Sequence, residues 1–548
     1  MAARDLSRLE RFKTGYGDGA SNAKLELLRR LDRASLRSAR QVLRLHEVLC
    51  FLRAYPDDRR VLAQVGRMLE RFHERPDLVR HRRQLADTGI VGTAIRYRFF
   101  WSTALWLATR WPDLLSLEHD DEEANAALDK ALPLVLPPVV AEWFNAGSLP
   151  ALPAMDRLRG RRTDAAYLVG HLAGMPGNGL TREAFADAID APFVLKPGRD
   201  TPSRTRALLP FAPRAFQAGP LRRTRPDLRA AAATRPRAVR VLSSRDGARL
   251  IELARCAMVT RSRDLMAFEY GNPGDVRLVD DGDGLAFGFC GVIPERRFTL
   301  PALYGYLTVR NGVPTGYGQV EVIGPFAAIS FNVFETFRGA EAAHVFGRLV
   351  SATHHVFGAT SFSVDPYQLG HENEDGIDSG AWWFYYKLGF RPRATAALRI
   401  MRRETARMRV RLSHRSSTRA LRALAEHHVF FDLDRSAPRG LAPLQQALER
   451  GVDWLAARGG GADAVAAAER RALEVTGLKS LSGFTRDERA AWRRWAPLIV
   501  SIPGISRWSA GERQQLADIA RAKGGRREID FLVRYAAHSR LAGVQLGV

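Results

Sequence analysis

Across residues 284–334 the apolar residues no longer recur at helical spacing but come in short continuous runs, and this change of period constrains the fold more than any other feature of the chain. Residues 284–293 (GLAFGFCGVI), 303–309 and 316–323 read as strands. Asn311-Gly312, between the last two, is the dipeptide that closes a tight hairpin. A further strand at 327–334 (AAISFNVF) runs into a helix at 339–356, then a strand at 361–365 and a helix at 379–388. A short strand at 239–242 and a helix at 246–260 precede them, so 239–395 reads as a mixed α/β region.

The flanks keep helical spacing. Leu25, Leu28 and Leu31 open one amphipathic run, and Val61, Val65, Met68 and Phe72 mark another. Residues 94–110, 122–132 and 181–189 are further helical candidates. Beyond 395 the chain reads as helical again, with a Gly459-Gly460-Gly461 break. Thr485 with Glu488, and Ser509 with Glu512, have the spacing of capping boxes. Residues 197–238 are rich in Pro and Arg and read as a linker or a surface-draped segment. The expected organisation is a helical region (1–196), this segment (197–238), an α/β domain (239–395) and a second helical region (396–548).

Composition narrows the function. In 548 residues, 83 basic side chains face 59 acidic ones, a net charge of +24, and 76 of the 83 are Arg. Such a balance raises nucleic acid or an anionic surface as partner. The densest part is 391–425, with 11 Arg against the single acid Glu404. Arg403, Arg407, Arg411, Arg415 and Arg419 recur every four residues, which on one helix makes a basic stripe. No RNA- or DNA-reading signature stands beside it, so nucleic acid is not the favoured partner. Three separated cysteines give no zinc or disulfide pattern. The His354-His355 and His427-His428 pairs do not share a helix face, and the acidic loop 371–378 lacks calcium-loop spacing, so no metal is expected. No apolar run reaches the ~18 residues of a membrane span, and no signal-like leader is evident, so the expectation is a cytoplasmic protein without a transmembrane segment.

The junction at 327–350 carries the chemistry. A strand feeding directly into a helix presents unbonded N–H groups at the positive end of the helix dipole, a geometry that binds phosphate or pyrophosphate. Arg338 adds a fixed positive charge, and Gly339, Ala340, Ala342 and Ala343 leave room for a ligand. Downstream, Asp378-Ser-Gly-Ala381-Trp-Trp-Phe384-Tyr385-Tyr386-Lys387-Leu388-Gly389-Phe390 resembles the N-x-x-A-x-x-L-Y-E-K-L-G-F pattern of the GNAT superfamily of N-acetyltransferases. Arg338 and Ala343 match the ends of that family's pyrophosphate loop, [Q/R]-x-x-G-x-[G/A], while Glu341 stands in place of its central Gly. The hairpin sequence NGVPTGYG is similar to the family's central strands.

The resemblance implies a GNAT-like mixed sheet whose two central parallel strands splay apart around acetyl-CoA or another acyl-CoA. It implies that pantetheine pairs with the backbone of Phe331, Asn332, Val333 and Phe334. The pyrophosphate would sit on Arg338, Gly339, Ala340, Glu341, Ala342 and Ala343. An amine would attack the thioester directly, with Tyr385 protonating the departing thiolate. For the general base, Glu321 among Val320, Val322 and Ile323 ranks first, ahead of Glu335, Asp365 and His344. Two other readings stay open: a degenerate, non-catalytic fold of this type, motivated by Glu341, and an Arg-rich nucleic-acid-binding protein.

Overall fold

The computed structural model describes residues 1–434 and 442–541. The chain is a mixed α/β protein with one large mixed sheet and many helices, and it divides into two compact units. The first comprises Met1–Pro220, Arg249–Tyr270 and Arg310–Pro314; the second comprises Leu221–Ala248, Gly271–Val309 and Thr315 onward.

In the first unit, helices Ala2–Phe12, Asp18–Arg33, Ala39–Ala54 and Arg59–Glu70 pack around Leu28, Leu31, Leu45, Leu49 and Val65, all removed from water. Ser38 and Asp58 start two of these helices by accepting backbone N–H bonds from Gln41 and from Arg60 and Val61. A second core gathers around a small antiparallel sheet of β1 (Ile95–Tyr97), β2 (Leu115–Leu117) and β3 (Phe193–Leu195), with β3 in the middle. The helix expected over 94–110 therefore occupies only Trp101–Arg110. Three-residue strands are too short to show an alternating pattern.

The Pro/Arg-rich stretch is tied down. Arg53 donates to the carbonyls of Thr205 (2.7 Å) and Ala207 (3.3 Å), and Leu209 N–H bonds the Gly312 carbonyl at 2.8 Å. Its last part forms helix Leu228–Ala233, which buries Leu228 and Ala232 in the second unit. Backbone groups that join no regular ladder are met here by side chains and turns.

The second unit is built on the ten-stranded sheet. Its strands are β4 (Ala238–Val241), β5 (Gly271–Gly282), β6 (Leu285–Val292), β7 (Ala302–Arg310), β8 (Val313–Ile323), β9 (Phe326–Ile329), β10 (Asn332–Val333), β11 (Ser361–Val364), β12 (Arg391–Pro392) and β13 (Val429–Asp432). The order is β12-β13-β11-β9-β8-β7-β6-β5-β4, with β10 also on β8. Asn311 and Gly312 take φ of 52° and 83°, the positive values that a two-residue hairpin turn requires. β9 and β11 run parallel, while β8 with β9 and β11 with β13 are antiparallel. Helix Ala342–Phe357 covers the sheet through Phe346, Leu349 and Val350, and helices Arg486–Val500, Ala510–Lys523 and Glu528–Ala537 add Trp492, Trp495, Leu516 and Phe531 to the same core. Both expected capping boxes are formed.

The basic stripe is broken. Helix Thr395–Val410 ends before Arg411, which is extended, and a new helix begins at Thr418. Only Arg403 and Arg407 of the five share a helix face; Arg411 and Arg415 lie in the intervening loop.

Candidate functional site

β8 is the base of the site. Glycine is required at Gly316 and Gly318, because a Cβ there would stand 2.4 Å from the Asn332 carbonyl oxygen and 2.2 Å from that of Ser330. The chain from β9 to β10 can therefore lie close against β8. Its register is unbroken, from Ile323↔Phe326 to Gly316↔Val333, but the ladder is altered at Ser330. Gln319 N–H bonds Ser330 Oγ (2.8 Å) instead of the backbone, and the Ser330 carbonyl accepts the Tyr306 hydroxyl (2.7 Å). The single strand expected over 327–334 is thus β9 and β10 with an interruption between them.

On the other side, β9 pairs with β11 only as far as Ala328↔Ser363. Beyond this point the first strand continues along β8, whereas β11 leaves at Asp365 for the short helix Pro366–Leu369. Asp365 accepts the Gln368 N–H (3.0 Å), and the Gln368 side chain accepts the Phe331 N–H (3.2 Å). Asn332 and Val333 pair with β8, and Phe334 N–H bonds the Thr315 carbonyl.

Past β10 the chain turns through Glu335–Phe337 and enters the helix at Ala342. No side chain caps this helix, so its positive dipole end carries no side-chain cap bond. Arg338 and Gly339 are exposed, Ala340 is buried, and Ala342 and Ala343 are half-buried. A Cβ on Gly339 would meet nothing within 4 Å, so the protein's own packing does not require glycine there. Glu341 is only 2% exposed and accepts the Arg222 N–H at 2.8 Å. Its carboxylate is engaged with the Leu221–Arg222 segment.

A cluster of ionisable groups surrounds the end of β11. Tyr385, from helix Ala381–Lys387, is 2% exposed, with Phe346 and Phe390 packed at its ring. Burial, and then the charge of Asp365, push its hydroxyl well above the usual phenol range. Glu321, on β8, is half-buried and bonded by Gln319 (3.3 Å); burial and then Asp365 raise its carboxyl. Thus Tyr385 and Glu321, named from the sequence, lie around one shared neighbour, Asp365. Glu335 is instead exposed in the turn, and His344 faces Arg222 at 3.4 Å.

The sequence reading missed one member, His428. The Val364↔Val429 pairing sets it opposite Asp365. Burial lowers its imidazole pKa, with Asp365 pulling the other way, and among the described residues its buried Nδ1 has no hydrogen-bond partner. Only the run Val429-Phe430-Phe431-Asp432, read as a strand, could have pointed to it. Among the described residues no group of three or more His, Cys, Asp or Glu could hold a metal ion. Comparison with protein-family models, curated proteins and solved structures finds no match to this chain.

Proposed function

We propose that the second unit is an acyl-CoA-dependent N-acyltransferase of GNAT type, passing an acetyl or other acyl group to an amine. The observation that carries this reading is the parting of the parallel pair β9 and β11 after Ala328 and Ser363, with an uncapped helix start following β10 and, following β11, Asp365, whose charge acts on Tyr385, Glu321 and His428. The pantetheine arm would lie along Phe331–Phe334. The diphosphate would take the N–H groups of Gly339, Ala342 and Ala343, with Arg338 beside it, the Ala340 N–H being held by the Phe337 carbonyl at 3.0 Å. Glu341 accepts the Arg222 backbone N–H with one carboxylate oxygen. The neutral amine attacks the thioester carbonyl, the C–S bond breaks, and Tyr385, held protonated, gives its proton to the thiolate. Glu321, whose raised pKa makes it a stronger base, takes the proton lost by the substrate nitrogen, with His428 the alternative acceptor.

A degenerate, non-catalytic fold of this type, serving as a binding or scaffold module, is the second reading; Gln368 favours it, because it already holds the Phe331 N–H on the stretch the pantetheine arm would use. Melting the full chain with acetyl-CoA tests both. Saturation at 100 times Kd stabilises the folded form by about 2.7 kcal/mol, visible as a rise in Tm. No shift at millimolar acetyl-CoA sinks the first reading and supports the second; a shift with turnover on an amine sinks the second.

A further inference from the structure

The loop after helix Thr395–Val410 presents two aliphatic side chains to water: Val410 is 91% exposed and Leu412 89%. Between them stands Arg411, whose extended backbone (φ −128°, ψ 103°) turns successive side chains to opposite sides. Arg399, Arg402, Arg409, Arg411, Arg415 and Arg419 are all exposed, and none has an acidic partner among the described residues.

The one acid of the segment is spent internally. Glu404 is 1% exposed and accepts Arg407 at 3.0 Å and His414 at 2.9 Å. Burial favours its protonated form, but the bonds from His414 and Ser416 and the charge of Arg407 outweigh it and hold the carboxyl below its usual range. Trp383 Nε1 donates to Ser416 Oγ at 3.2 Å. The loop is thus anchored at His414 and Ser416, while Val410 and Leu412 project from it.

Leaving two aliphatic side chains in water forgoes the gain of burial, and unpaired arginines beside them call for an anionic partner. A nucleic acid would use the arginines, but single-stranded sites stack bases on aromatic rings, and Val410 and Leu412 cannot stack. A bilayer uses both features: aliphatic tips enter the headgroup–acyl boundary while arginines meet lipid phosphates. We propose that the Val410–Leu412 tip and its surrounding arginines dock this protein on an anionic membrane surface. The proposal is independent of the acyl-transfer reading.

Co-sedimentation of the full chain with vesicles tests it, comparing phosphatidylcholine alone with equimolar phosphatidylcholine and phosphatidylglycerol. Binding is expected only to the anionic vesicles and weakens with added salt. Val410→Ser with Leu412→Ser is expected to reduce it by at least about tenfold, since both lose apolar insertion. Arg409→Gln with Arg411→Gln is expected to reduce it roughly 25-fold, about fivefold per charge. All four positions are exposed, and an unchanged Tm shows the variants folded. No binding to anionic vesicles at low salt overturns the proposal, as does equal binding to both compositions. Binding that survives the serine double variant, alongside equal affinity for a single-stranded RNA, assigns the patch to polyanions and overturns it too.

Discussion

At the scale of single residues, the chemistry depends on how burial and a neighbouring charge set proton affinity. Tyr385 is raised by both, so it carries its proton at neutral pH, as its proposed role of general acid requires. Tyr385→Phe keeps the ring between Phe346 and Phe390 and removes only the hydroxyl. Turnover is expected to fall by roughly 10²- to 10⁴-fold with acetyl-CoA affinity unchanged; an unchanged kcat removes Tyr385 from the mechanism. A second pair lies in the first unit. Glu269 accepts the Ser102 hydroxyl, and the Asp264 carboxylate accepts the Phe100 N–H; the two carboxyls are close enough for each to influence the other's proton affinity. Burial first, then Asp264, push Glu269 up to about 8 despite nearby Arg255; Glu183 adds to the rise. Asp264 rises to about 6, chiefly through burial. A carboxyl raised on folding contributes stability that is present below its unfolded value and lost as pH rises through the folded one. The Tm is therefore expected to decline from about pH 5 to pH 8. Glu269→Gln should flatten that decline and add on the order of 3 kcal/mol at pH 8. A Tm that rises over this range contradicts the assignment. Tyr385 was legible because it stands in a dense local pattern. His428 and Glu269 were not, because their neighbours come from distant strands and helices.

At the scale of elements, glycine placement in β8 decides the site's shape. Gly318→Ala would force a methyl to 2.2 Å from the Ser330 carbonyl oxygen and 2.5 Å from the Tyr306 hydroxyl. The strand must shift, so a loss of about 1–3 kcal/mol is expected by denaturant titration, with acetyl-CoA stabilisation reduced or lost. Full stability and an unchanged acetyl-CoA shift would show that the close approach does not matter. The sequence signalled the hairpin and the strands because Asn311-Gly312 and the apolar runs are strong local signals; the parallel pair was expected only from the family resemblance. It did not signal β5, whose Gly271-Asn-Pro-Gly-Asp opening reads as a turn. It also gave no warning of β13, four residues long in a helical context. Arg411 shows the converse: a four-residue recurrence of arginine suggests a helix, but there is no apolar stripe at that spacing to hold one.

At the scale of the whole molecule, the excess positive charge proves uneven in meaning. Many arginines are structural. Arg348 is held by Asp281 and by the carbonyls of Ala231 and Thr234. Arg297 is buried and bonds four backbone carbonyls, those of Val292, Lys523, Gly525 and Arg526. Others have no acid partner among the described residues: Arg409, Arg411 and Arg415 lie next to the exposed Val410 and Leu412, a juxtaposition that composition alone could not single out. The division into units has a temporal consequence. The chain passes from one unit to the other after residues 220, 248, 270, 309 and 314. During synthesis the first unit lacks its 249–270 segment and the hairpin tip until residue 314 has emerged, by which time the second unit's first strands are already exposed. The first unit is then complete only once residue 314 has emerged, the second only after its C-terminal helices follow, and a stall before residue 314 leaves both unfinished.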